Sequence, residues 1–334
     1  MASELSLLSV KLLLLSASDL EHALPMLAAI EASERAYRAL SRGDSRAPLR
    51  TAIAAPEGGT VLLMGAAVEE SVLAAKVVSV FPGNADRGEP TIGGLVIAAD
   101  PMTGAPKAIL PGAWLTAMRT GAASGIATKT FASETAKTGL VLGAGPQART
   151  QAIAIDAVRE LDEIRIYARR PDAGRALVEE LRGELRASAV YVEDLAKAVA
   201  GAEIICTATS AREPLVFADM LEPGVHINAV GSFRPEMREL DVGVVARARV
   251  FVDSVNACAE EAGELIAAES EGVKLRSSWT ELGAFLEDGL GGRSSDEEVT
   301  LFKSVGVAEQ DACAAGEAIK RAVEMGLGTE VDLS

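Results

Sequence analysis

Gly143-Ala144-Gly145-Pro146-Gln147-Ala148 is a G-x-G-x-x-A sequence that follows the apolar run Thr138–Leu142 and opens a stretch of helical character, Gln147–Val158. A strand that turns sharply into a helix at such a sequence suits the pyrophosphate of a dinucleotide. The first glycine permits the turn, the second lets the backbone approach the phosphates, and Ala148 is small enough for helix and strand to pack closely. The helix N-terminus adds N–H groups aimed at the anion. Gly143, Gly145, Pro146, Gln147 and Ala148 are therefore expected to hold the cofactor. The second strand, Glu163–Ala168, runs into Arg169-Arg170-Pro171 and not into an acidic residue that would take a ribose 2′-hydroxyl. Arg169 and Arg170 suit a 2′-phosphate, so NADP(H) is expected in preference to NAD(H).

Other chemistries lack their residues. His22 and His226 are the sole histidines, so there is no paired-imidazole metal signature and little room for histidine acid–base catalysis. Cys206, Cys258 and Cys313 are widely spaced and odd in number, which indicates neither a disulfide framework nor a thiolate zinc site and fits a reducing cytoplasm. A formal net charge of −16 without a Lys/Arg cluster argues against nucleic acid as a partner. No apolar run approaches the ~20 residues that span a bilayer.

The elements that must position these residues fall into two patterns. Ahead of position 111, short apolar runs at Leu49–Ala55, Val61–Val68, Ala74–Phe81, Leu95–Ala99 and Ala108–Leu110 are separated by Pro/Gly/Asn/Asp turns, which predicts a mainly antiparallel sheet. Before them, Leu5–Leu15 reads as a strand, Ser18-Asp19-Leu20-Glu21 as a capping box, and Asp19–Ser41 as one helix that tolerates Pro25 near its first turn. After Pro111-Gly112 a helix to Lys129 is followed by strands alternating with helices: Gly139–Leu142, Ile164–Ala168, Val190–Val192, Ile204–Thr207, Ile227–Val230 and Val250–Val252. That alternation predicts a doubly wound parallel sheet. A last helix, Ala308–Met325, with Ile319 and Val323 on one face, is expected to return to the first domain. The expected fold is α/β, with a Rossmann domain at 114–305 and an α+β substrate and dimerisation domain at 1–113 and 306–334.

Three segments carry a resemblance: Leu115-Thr116-Ala117-Met118-Arg119-Thr120-Gly121-Ala122-Ala123, the Gly143–Ala148 loop, and His226-Ile227-Asn228-Ala229-Val230-Gly231-Ser232. Together they resemble the ornithine cyclodeaminase and mu-crystallin family along almost the whole chain. The resemblance implies a homodimer joined through the sheet domains, with substrate between that domain and the nicotinamide. It implies that Arg50, Lys76 and Arg119 meet the substrate carboxylate, with Met64 and Arg234 near the substrate. It adds Thr120, Thr207, Val230, Gly231 and Ser232 to the cofactor site. The cations make chemical sense, since a 2-imino acid needs a fixed carboxylate before its C2 can face a hydride donor. Lys76, inside an apolar strand, is also placed to orient or protonate the reacting nitrogen.

Two departures from the family pattern bear on activity. Ornithine cyclodeaminases carry an acidic residue where this chain has Phe233 in Val230-Gly231-Ser232-Phe233-Arg234-Pro235, and a phenyl ring cannot serve as a base. Glycine also follows Met64 where the family commonly has proline. The expectation is reduction of a small 2-imino acid, a cyclic ketimine such as Δ1-pyrroline-2-carboxylate or Δ1-piperideine-2-carboxylate, without cyclisation of ornithine. Rival expectations are reductive amination of an open-chain oxo acid, reduction of iminosuccinate with Arg234 on its second carboxylate, or ligand binding without turnover as in mu-crystallin.

Overall fold

The computed structural model describes residues 11–48, 50–69, 71–289 and 292–333. Leu5–Val10 and Leu49, parts of the expected strands, lie outside the described residues. The chain divides into two compact units: residues up to Thr116 with those from Ala308 onward, and Ala117–Val307. The first boundary thus falls within a helix.

In chain order the first unit contains β1 (Lys11–Leu14), α1 (Ala17–Ala23), α2 (Met26–Arg42), β2 (Ser45–Arg46), β3 (Thr51–Ala54), β4 (Thr60–Val68), β5 (Leu73–Val80), β6 (Ile92–Ala99) and β7 (Pro106–Pro111). The helix α3 (Gly112–Phe131) then carries the chain into the second unit. The expected single helix at Asp19–Ser41 is two helices, because Pro25 lacks the N–H that would continue α1 and instead stands as the N-cap of α2. The capping box is also earlier than expected. Ser16, not Ser18, caps α1: its Oγ accepts from Asp19 N (3.1 Å), and its own N–H donates to Asp19 Oδ2 (2.8 Å).

The second unit contains β8 (Thr138–Leu142), α4 (Pro146–Val158), β9 (Glu163–Tyr167), α5 (Pro171–Leu181), β10 (Ser188–Tyr191), α6 (Leu195–Val199), β11 (Ile204–Thr207), β12 (His226–Ala229), α7 (Val242–Arg247), β13 (Arg249–Val252), α8 (Val255–Glu261), α9 (Gly263–Ser270), β14 (Thr280–Glu281), α10 (Leu282–Asp288) and β15 (Thr300–Lys303). The chain returns to the first unit with α11 (Ala308–Met325) and β16 (Thr329–Asp332).

The sheet of the first unit runs β16-β1-β7-β6-β5-β4-β2, with β3 also on β4. Its centre is antiparallel, while β1 joins β7 in parallel. Pairing sets Met64, Lys76, Val96 and Leu110 in one row across four strands. All four are buried, on the face that packs against α11, and α11 also packs on α2. The expected apolar face of α11 is corrected: Val323 is exposed, and the buried residues include Ala312, Ala315, Ala318 and Ala322 together with Gln310 and Asp311. Alanines allow a close approach of helix to sheet. On the opposite face Leu63, Leu73, Val77, Leu95 and Ile97 remain exposed in this single chain.

The second sheet is wholly parallel, in the order β10-β9-β8-β11-β12-β15-β13-β14. From β8 the chain moves outward through β9 and β10, then returns to the other side of β8 with β11. The strand order therefore reverses between β8 and β11, and in open α/β sheets ligands bind at the carboxyl ends of strands at that reversal. Deep in this unit His226 contacts Thr300 Oγ1 (2.9 Å) through Nδ1 and Asn228 Oδ1 (3.2 Å) through Nε2. Burial pushes its pKa down to about 3, so it is neutral at physiological pH and has no path to solvent as an acid or base.

Candidate active site

In the second unit, β8 ends at Leu142 and the loop turns at Gly143, whose φ of 129° lies in the region that favours glycine. A Cβ at Gly143 would stand 2.5 Å from the Ala208 carbonyl oxygen, so this glycine lets the loops after β8 and β11 close on each other. Gly145 is the N-cap of α4 and offers no side-chain cap; an added Cβ there would meet nothing within 4 Å. Pro146 takes the first helical position, and no side chain caps the first N–H groups of α4. Gln147 Oε1 is buried without a hydrogen-bond partner, and Ala148 has no exposed surface, as the close strand–helix contact requires. An open backbone cradle at a helix N-terminus fits a dinucleotide pyrophosphate.

Arg169 and Arg170 follow β9 after Ala168 and are exposed; neither side chain forms a hydrogen bond or ion pair among the described residues. They are available to an anionic ligand. Thr120 is buried on α3, which packs tightly on α4: a Cβ at Gly121 would lie 2.7 Å from Thr150 O, and Thr150 Oγ1 donates to Ala117 O (2.8 Å).

Arg119 is also buried, with 5% of its surface exposed. Its guanidinium covers Gly306, where a Cβ would lie 2.6 Å from Nη1 and φ is 87°. Asp253, at the end of β13, holds that segment: its Oδ2 accepts from Ser304 Oγ (2.8 Å), Val305 N (2.8 Å) and Gly306 N (2.6 Å). Asp253 was not legible as a site residue.

Thr207, Gly231 and Ser232, expected at the cofactor site, converge on one buried carboxylate. Thr207 Oγ1 and the N–H groups of Gly231 and Ser232 all donate to Glu239, and Val230 N donates to Thr207 O (3.0 Å). Thr207 and Ser232 have no exposed surface, and Ser232 also gives its Oγ to Glu264 and accepts from Lys303. These hydrogen bonds fix the loops after β11 and β12. Phe233 and Arg234 are half-buried, and the Arg234 guanidinium carbon sits 5.6 Å from the Phe233 ring centroid, a cation–π contact.

In the first unit Lys76 is buried on β5. Its Nζ forms an ion pair with Asp311 Oδ2 at 2.6 Å and donates to Thr116 Oγ1 at 3.2 Å. Both charged side chains are 2% exposed. Met64 lies beside Lys76 in register on β4, and Arg50, half-buried, immediately precedes β3, whose first pair is Thr51 with Leu63. Asp311 was missed from sequence. Its one signal is a polar triplet, Glu309-Gln310-Asp311, in the first turn of an alanine-rich helix, and all three are buried. A buried ammonium held by a carboxylate stays charged and can donate to an anion or to a basic nitrogen. Among the described residues no cluster of His, Cys, Asp and Glu would hold a metal ion.

The ornithine cyclodeaminase/mu-crystallin family model matches residues 10–325. A Δ1-pyrroline-2-carboxylate reductase of Bacillus cereus is 38% identical over 325 residues, covering 96% of this chain and all of the relative. The solved structure of Thermococcus litoralis Δ1-pyrroline-2-carboxylate reductase in complex with NADH and L-proline superposes with a TM-score of 0.91 at 40% identity, covering 96% of this chain and 100% of that one. An archaeal alanine dehydrogenase dimer with bound NAD has a TM-score of 0.89 at 31% identity, with 97% and 100% covered. Fold, loop and relatives define a nicotinamide-dependent oxidoreductase built on a Rossmann sheet. The chain belongs to the ornithine cyclodeaminase/mu-crystallin family.

Proposed function

We propose that the protein uses NADP(H) to reduce the C=N bond of a small cyclic 2-imino acid, such as Δ1-pyrroline-2-carboxylate or Δ1-piperideine-2-carboxylate, to the L-amino acid. The observation that carries this reading is the buried Lys76–Asp311 pair, a charged donor kept in an otherwise apolar row of a chain that also holds a dinucleotide loop. When bound, the nicotinamide supplies the hydride that C2 receives. Lys76 orients the imine and gives its nitrogen a proton, and the resulting positive charge makes C2 electrophilic. Asp311 keeps the ammonium charged and fixed in direction. Arg119 and Arg50 hold the carboxylate, so that positioning supplies much of the rate. Phe233 leaves no carboxylate to assist loss of a second amine.

The test is NADPH consumption with both cyclic imines in the absence of ammonia, for which turnover is expected. Turnover of pyruvate that requires ammonia, with no reaction of the imines, would replace this reading by reductive amination. Binding of NADPH and imine without turnover would make the protein a ligand carrier. L-Ornithine with oxidised cofactor is expected to give no proline, and measurable proline would overturn the role assigned to Phe233.

We further propose a homodimer joined through the exposed face of the first sheet. Leu63, Leu73, Val77, Leu95 and Ile97 form an apolar surface of a kind monomers rarely leave in water. Sedimentation of the parental protein as a dimer and of Leu95→Asp/Ile97→Asp as a monomer is the expected result. Monomeric parental protein would end the proposal.

A further inference from the structure

Glu239 has no exposed surface, yet it receives five hydrogen bonds from two separate loops. Its Oε2 accepts from Thr207 Oγ1 (2.8 Å), Gly231 N (2.8 Å) and Ser232 N (3.2 Å). Its Oε1 accepts from Thr209 N and Thr209 Oγ1, both at 2.7 Å. Both oxygens accept from backbone N–H groups, which can only donate, and two threonine hydroxyls complete the set. Burial pushes the Glu239 carboxyl up, and the nearby Lys303 opposes that shift.

The two loops follow β11 and β12. The pyrophosphate cradle lies after β8, and the arginines suited to the adenosine ribose follow β9. A dinucleotide laid across the reversal point with its adenosine end over β9 must run its other end over β11 and β12. Glu239 therefore ties together the segments beneath the nicotinamide end. Gly231 is held so closely that a Cβ would lie 2.4 Å from both Glu239 Oε1 and Thr209 O.

A second buried group fixes the same loop from behind. Lys303 Nζ donates to Ser232 O (2.5 Å) and Ser232 Oγ (2.7 Å) and pairs with Glu264 at 3.1 Å. Glu239, Glu264 and Lys303 are all fully buried. Ion pairs in such places are costly compared with apolar packing, so their retention calls for a reason, and a fixed loop geometry is one.

We propose that Glu239 is a positioning residue for the nicotinamide end of the cofactor: its carboxylate locks the loops after β11 and β12 into the ring's seat without touching the ring. This rests on the cofactor reading above. A residue with this role affects ligands that carry the ring and spares those that lack it. Glu239→Gln keeps the shape of the side chain but sets an N–H2 group against N–H and O–H donors.

Calorimetric dissociation constants for NADP+ and for 2′-phospho-ADP-ribose, which has no nicotinamide, separate the cases. Glu239→Gln is expected to weaken NADP+ about ten- to a hundredfold, the value of a charged hydrogen bond, and to leave the fragment within about twofold. Equal weakening of both ligands, or of neither, overturns the proposal. Thr207→Val removes a single donor and keeps the charge; if Glu239→Gln does not fold, this variant must show the same split at about three- to tenfold. Parental protein that binds neither ligand would bring down the cofactor reading itself. Parental protein that binds both, with variants lacking the split, would bring down Glu239 alone.

Discussion

Lys76→Met is expected to lose about 2–5 kcal/mol of transition-state stabilisation for the cyclic imine, roughly thirty- to several-thousandfold in kcat/KM. The variant keeps most of the side chain's length and removes the charge that meets the carboxylate and the nitrogen. It also removes the ammonium that pairs with Asp311, which is 2% exposed and 2.6 Å from Lys76 Nζ, and breaking a buried ion pair by removing one partner costs about 3–5 kcal/mol of stability. The two losses have different cures. Lys76→Met/Asp311→Asn removes both charges of the pair, so thermal stability should return most of the way while kcat/KM stays low. NADPH affinity should change little in either variant, since the Gly143–Ala148 loop belongs to the other unit. Recovery of parental kcat/KM in the double variant, or reduction of Δ1-pyrroline-2-carboxylate at the parental rate by Lys76→Met, would show Lys76 to be a structural strand residue. The carboxylate clamp would then rest on Arg119 and Arg50.

How far the sequence carried this picture depended on whether a feature is local. The Gly143–Ala148 turn was legible because a tight strand-to-helix turn leaves its requirement for glycine in adjacent residues. The helix Ala308–Met325 appeared at its observed bounds for the same reason, although its inward face did not. That face is alanine and buried polar residues, so hydrophobic periodicity points at the wrong side. The strands β15 and β16 were missed on different grounds. β15, Thr300-Leu301-Phe302-Lys303, is fully buried but carries polar residues at both ends, since Thr300 contacts His226 and Lys303 pairs with Glu264. β16 is a short polar edge strand whose partner is β1 at the other end of the chain.

The same limit hid the polar partners. Lys76 stood out as a charge in an apolar run, but Asp311 has meaning only once α11 lies on β5. Glu239, Glu264 and Asp253 each take donors from segments some thirty to fifty residues away in sequence, such as Thr207, Ser232 and Gly306. Single residues that break a pattern can be found by reading along the chain. The groups that satisfy them need the fold.

The remaining large effect concerns the cofactor's ribose. Arg169 and Arg170 follow β9 after Ala168, exposed and without side-chain partners among the described residues, where an acidic side chain would favour an unphosphorylated ribose. The parental protein is therefore expected to show a higher kcat/KM with NADPH than with NADH, even though the Thermococcus litoralis relative was solved with NADH. Arg169→Ala/Arg170→Ala should weaken NADPH use by about 1.5–3 kcal/mol for each contact made to the 2′-phosphate, or roughly ten- to a hundredfold per contact. NADH use should stay near the parental level, because the arginines have no anion to meet on that ribose. Raising ionic strength should narrow the parental preference, since exposed charge contacts are screened by salt. An equal or better kcat/KM with NADH in the parental protein would overturn the preference. A preference for NADPH that survives both substitutions would place the 2′-phosphate against other residues.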